Sequence, residues 1–131
     1  MKCLLVFVSA IILVGCKPDS TTDPVTCYTY WAGENPISEV QVIHGQYGPT
    51  SRWTKDYEIY LHLSASEKYS SDIVRTKHLV KATEYELPDD APSWFKPGKT
   101  YSIWKPSGFD RASFYLYDSV SNDIFIYQVS L

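Results

Sequence analysis

The sequence predicts an all-β domain, a small antiparallel β-sandwich of seven or eight strands. Three observations predict it. The 131 residues are rich in aromatics, with eleven Tyr, five Phe and four Trp against a single Met, and aromatic side chains favour strands. Apolar residues alternate with a period of two in several short runs. Turn formers separate those runs, and none carries ten residues of helical periodicity.

Residues 27–31 read as the first strand and 38–44 as the second, followed by the turn signals Gly33-Glu34-Asn35-Pro36 and Gly45-Gln46-Tyr47-Gly48-Pro49. In residues 57–63, Tyr57, Ile59, Leu61 and Leu63 share one face. Residues 64–72 are the only stretch suited to a short helix. Residues 73–80, 83–87 and 100–104 read as further strands, with Pro88-Asp89-Asp90-Ala91-Pro92 and Pro97-Gly98 between them. In residues 112–118, Ala112, Phe114 and Leu116 fall together. Over residues 124–131, Phe125, Tyr127, Val129 and Leu131 lie opposite Ile124 and Ile126. The link Ser119-Val120-Ser121-Asn122-Asp123 carries turn formers, so these last two strands are expected to form a hairpin.

The N-terminus reads as an address. Met1-Lys2 is followed by an apolar run from position 3 to 14, broken only by Ser9. That run is shorter than the roughly 20 residues a membrane-spanning helix needs, and it fits the h-region of a signal peptide. Leu13-Val14-Gly15-Cys16 resembles the lipobox of bacterial lipoproteins. The resemblance implies cleavage before Cys16, a diacylglycerol on its thiol and acylation of its amine. Several acyl chains would hold a domain stably on a membrane, where one would not. Lys17 stands where lipoproteins retained at the inner membrane of enteric bacteria tend to have Asp, so the resemblance implies the outer membrane, facing the periplasm. Removing the 15 residues before Cys16 from 131 leaves 116 and moves the net charge from −3 to −4, because Lys2 is lost. Residues 16–25 then form a polar, proline-containing tether, and 26–131 the domain. Cys27 would be the one unmodified cysteine, which excludes an internal disulfide. It is expected to be buried as a small hydrophobe, a reactive thiol being the alternative.

Polar residues suggest no chemistry. His44, His62 and His78 show neither His-x-His nor HExxH spacing. There is no G-x-S-x-G elbow, no phosphate-cradling glycine loop and no calcium-loop series. Glu84 and Glu86, and Asp89 and Asp90, read as solvated carboxylates rather than a tuned acid–base pair. The acidic balance does not favour nucleic acid. We therefore expect no catalytic residues, no metal and no cofactor.

Aromatic and arginine residues in turns are the better candidates. Tyr47, Arg52, Trp53, Trp94, Phe109 and Arg111 all sit in turn regions, and Tyr, Trp and Arg dominate binding hot spots. Trp53 and Trp94 either meet a partner or fold inward to plug the core, while Phe95 is expected in the core. The segment from Trp94 through Lys96-Pro97-Gly98-Lys99 to Tyr101, together with lipobox, tether and terminal hairpin, is similar to small periplasmic lipoproteins identified as immunity proteins of type VI secretion systems. That resemblance implies an Ig-like β domain that binds and blocks a toxic effector protein. Members often carry two domain cysteines, whereas only Cys27 is present here. Two other classes remain open: a structural or piloting lipoprotein of an envelope complex, and a glycan or small-ligand binder using Trp53, Trp94 and Trp104.

Overall fold

The computed structural model describes residues 20–50, 56–108 and 112–130. Its elements are α1 (Pro24–Ala32), β1 (Val40–Pro49), β2 (Tyr57–Ala65), α2 (Glu67–Thr76), β3 (Leu79–Ala82), β4 (Ser102–Pro106), β5 (Phe114–Asp118) and β6 (Asp123–Ser130). The fold is mostly β, as expected. Its six strands form one open antiparallel sheet in the order β1-β2-β6-β5-β4-β3. The expected terminal hairpin is present, with Asp118 opposite Asp123.

A sandwich of seven or eight strands is not what these residues build, and the reasons are local. Residues 27–31 lie in a helix instead of a strand. Asp23 caps α1 by accepting the Thr26 N–H, Pro24 occupies the first helical position, and Gly33 closes the helix at φ 79°, donating to the Thr29 carbonyl. These end signals override the strand preference of Cys27-Tyr28-Thr29-Tyr30-Trp31. Residues 73–80 divide in the same way. Ser66 caps α2 through the Tyr69 N–H, the helix runs on to Thr76, and only Leu79–Ala82 joins the sheet. Residues 83–87 carry no regular structure.

The central strands bury both faces, and alternate side chains along each strand enter opposite layers. On one face Ile59, Leu61, Leu63, Tyr115, Ile124 and Ile126 pack with Cys27 and Tyr28 of α1 and Ile73 of α2. A Tyr28–Tyr69 hydroxyl pair ties the two helices together. On the other face Tyr60, Phe114, Leu116, Phe125 and Tyr127 pack beneath Phe95, which is 1% exposed. The cover there is the proline-punctuated coil between β3 and β4, which also adds Tyr85, Trp94 and Tyr101. Burying a large apolar side chain contributes about 1.5–3 kcal/mol, so Phe95 is a main anchor of that coil.

Two backbone features set the geometry of β1. A β-bulge between Val42 and His44 shifts the register against β2, from Val42 opposite Leu63 to His44 opposite His62. The extra residue reverses which side chains face each layer. Val42 packs toward the helices, yet His44 turns to the coil side and Gly45 to the helix side. At Gly45 α1 leaves no room for a side chain: a Cβ there would sit 2.7 Å from the Cys27 Cβ and 3.2 Å from the Pro24 Cα. The helix rests directly on strand backbone.

Candidate functional site

The sheet ends at β1, and the two faces of this edge strand carry the candidate site. On the helix side, Tyr47 stacks on Tyr57 with centroids 5.4 Å apart and planes 8° apart. Tyr30 meets Tyr47 edge-on at 4.9 Å. All three rings are partly exposed. The backbone of Tyr47 exchanges two hydrogen bonds of 2.9 Å with Thr21, so the segment leading into α1 is fastened to the strand edge at this point. Burial, with the neighbouring Tyr57 and Tyr30, raises the Tyr47 pKa above its ordinary value.

On the coil side lies a chain of three polar groups that sequence spacing did not reveal. His62 Nε2 is 3.0 Å from Asp123 Oδ1, and His62 Nδ1 is 3.3 Å from His44 Nδ1. The two imidazole centroids are 5.6 Å apart and the planes differ by 17°. The gap between the centroid and nitrogen distances is about two ring radii. Both Nδ1 atoms therefore lie on the line joining the rings, which meet edge to edge. A carboxylate accepting from His62 Nε2–H leaves His62 Nδ1 as an acceptor, and His44 Nδ1–H then donates to it. Phe125 stacks on His62 at 4.2 Å and Trp94 on His44 at 4.9 Å, fixing the planes of both rings.

The remaining polar groups of this face are bound into the fold. Tyr127 donates to the buried Glu58 carboxylate at 2.9 Å, and Tyr60 donates to Asp90 at 3.3 Å. Burial, followed by the nearby carboxylates, pushes the Tyr60 pKa well up. Across the sheet, Trp31 Nε1–H and the Tyr115 hydroxyl both donate to Gln128 Oε1, while the Lys77 ammonium lies 4.7 Å over the Trp31 ring. Burial lowers the Lys77 pKa. No buried side-chain nitrogen or oxygen among the described residues lacks a hydrogen-bond partner.

Of the six candidate binding residues, two are described. Tyr47 lies in β1, not in a turn, and forms the tyrosine cluster. Trp94 is half-buried, with one ring face against His44 and its neighbour Phe95 in the core. Arg52, Trp53, Phe109 and Arg111 lie outside the described residues, as does the lipidation candidate Cys16. Cys27 is fully buried, and desolvation first, then the Asp23 charge, pushes its thiol up to about 11. At neutral pH that thiol is protonated and unreactive. Glu84, Glu86, Asp89 and Asp90 are exposed.

No helix among the described residues is long and apolar enough to cross a membrane. No protein-family model, curated protein or solved structure matches the chain.

Proposed function

We propose that this chain is a lipid-anchored protein of the bacterial envelope, attached through Cys16 at the periplasmic face of the outer membrane. Its domain is a non-catalytic binding module that binds and neutralises a toxic secreted effector. The observation that carries the reading is the Tyr30–Tyr47–Tyr57 cluster at the foot of the β1–β2 hairpin. Packed, partly exposed tyrosines offer large contact area with little conformational entropy left to lose on binding. The connection between these two strands carries Arg52 and Trp53, so residue types favoured at hot spots adjoin the cluster in the chain. A net charge of −3, or −4 after processing, favours encounter with a basic partner.

The test is direct binding between the soluble Cys16→Ala form and the product of an adjacent toxin gene. A saturable complex that weakens at least tenfold in Tyr57→Ala, with the far-UV spectrum unchanged, supports the reading. A neighbouring toxin that shows no affinity, or a complex indifferent to Tyr57, counts against it.

A further inference from the structure

We propose that His44 and His62 form a two-imidazole site for a divalent transition-metal ion. This site is separate from effector binding and lies on the opposite face of β1 from the tyrosine cluster. The sequence places these histidines 18 positions apart, with no metal-ligand spacing between them. The β-bulge at Ile43 brings them together by turning His44 onto the face that carries His62.

Three observations support a metal. First, His62 donates Nε2–H to Asp123 at 3.0 Å, the outer-shell carboxylate arrangement that fixes a ligating histidine and leaves its other nitrogen basic. Second, the two Nδ1 atoms are 3.3 Å apart. Bonds of about 2.0–2.1 Å to a tetrahedral ion hold two nitrogen ligands about 3.3 Å from each other, so the nitrogens stand at the required separation and only the direction of their lone pairs has to change. Third, the group is not sealed in the core: His44 is half-buried, and the His62 and Asp123 side chains are 16% and 29% exposed.

Loading requires two adjustments. His44 transfers its proton from Nδ1 to Nε2 through solvent, so both Nδ1 lone pairs are available and no net proton is released. The rings now meet edge to edge, so one must tilt to bring the lone pairs together on an ion beside the line joining them. Asp123 and Phe125 hold His62 by a hydrogen bond and a ring stack, so the tilt falls to His44 on the edge strand, whose ring must turn against the stacked Trp94 indole. Among the described residues no group of three or more histidine, cysteine or carboxylate side chains converges to hold an ion. The described residues therefore supply two nitrogens, and water or another donor completes the coordination. Imidazole pairs suit Cu²⁺, Ni²⁺ and Zn²⁺, with Cu²⁺ the tightest by the general affinity order.

The experiment uses the Cys16→Ser chain, which removes a competing thiol, titrated with Cu²⁺ and then with Zn²⁺ as competitor. Saturable one-to-one binding is expected, with a Cu²⁺ paramagnetic resonance signal showing two imidazole nitrogens. Cu²⁺ should also quench fluorescence in a way that Trp94→Phe diminishes. His44→Gln and His62→Gln should each weaken binding at least tenfold, and Asp123→Asn by about 10- to 100-fold. His78→Gln should leave it unchanged. Circular dichroism on each variant separates loss of the site from loss of the fold, and His44→Gln, on the edge strand, carries the test if His62→Gln unfolds. Absence of a saturable site, or a site that survives His44→Gln in the folded protein, would overturn the proposal.

Discussion

Gly45→Ala tests the packing on which the whole helix-covered face depends. The added methyl would lie 2.7 Å from the Cys27 Cβ, 3.0 Å from its sulfur and 3.2 Å from the Pro24 Cα. Carbon atoms prefer separations of about 3.5–4.0 Å, so α1 must withdraw by close to 1 Å. The Cys27 sulfur could turn aside, but its Cβ, the tightest contact, and the Pro24 Cα move only with the backbone. A gap of 0.5–1 Å forfeits about a quarter to a half of each dispersion contact it opens, and overpacking of this kind costs about 1–3 kcal/mol. We expect about 2 kcal/mol. With a urea m-value of about 2 kcal/mol/M, the unfolding midpoint should fall by about 1 M at unchanged m. A double-mutant cycle assigns the cause. Cys27→Gly removes both the Cβ and the sulfur, and its own cost, from a lost buried side chain and from glycine's poor helix propensity, is measured as one side of the cycle. In that background Gly45→Ala should cost much less. A single Gly45→Ala variant within 0.5 kcal/mol of the parent, or additivity in the cycle, would refute the close approach of α1 to β1.

Other expectations follow from the same contacts. The folded-state pKa of Cys27 is raised from 9.0 to about 11, so folding disfavours the thiolate. Stability should be full below pH 9 and decline as pH rises towards about 11, a dependence that Cys27→Ala flattens in alkaline denaturation. The same thiol should resist a maleimide at neutral pH until urea unfolds the chain. Tyr127→Phe removes the donor to the buried Glu58 carboxylate and should cost about 1.5–3 kcal/mol in urea titration, as hydrogen bonds to charged groups do. Asp23 is held below the usual carboxylate range, chiefly by its hydrogen bonds from Thr26. The cap it provides is present above the ordinary Asp range and lost as pH falls through the depressed value. Asp23→Asn should keep helix α1 while removing this part of the acid dependence, read by circular dichroism.

Much of the sheet was legible because its central strands obey simple alternation. Ile59, Leu61 and Leu63 do share a face, and Phe125, Tyr127 and Val129 do lie opposite Ile124 and Ile126. Phe95 reached the core as expected. Residues 27–31 read as a strand because a short run of Cys, Tyr, Thr and Trp carries strand-like propensity, although they lie in α1. The opposing signal is Asp23-Pro24 and Gly33, a helix start and stop whose residue types serve equally well in a tether and a turn. One face is covered by coil rather than by a second sheet because the prolines at 88, 92 and 97 cannot enter a ladder, while Tyr85, Trp94, Phe95 and Tyr101 still need burial. The histidine pair was not legible at all. His44 meets His62 only because a bulge shifts the register, and the phase break it makes, between Val42 and Gly45, falls where no large apolar side chain marks the new phase. Tyr47 was singled out for the right residue type in the wrong setting, since the strand runs on through Pro49.

The claim that this is an anchored immunity protein is tested most directly by sibling competition. The gene is deleted in a strain exposed to effector-armed kin, then restored as wild type or as Cys16→Ala. If Cys16 anchors an immunity protein, the deletion strain is killed, the wild-type gene protects it, and protection falls when the anchor is lost. A deletion strain no more sensitive than its parent would contradict it.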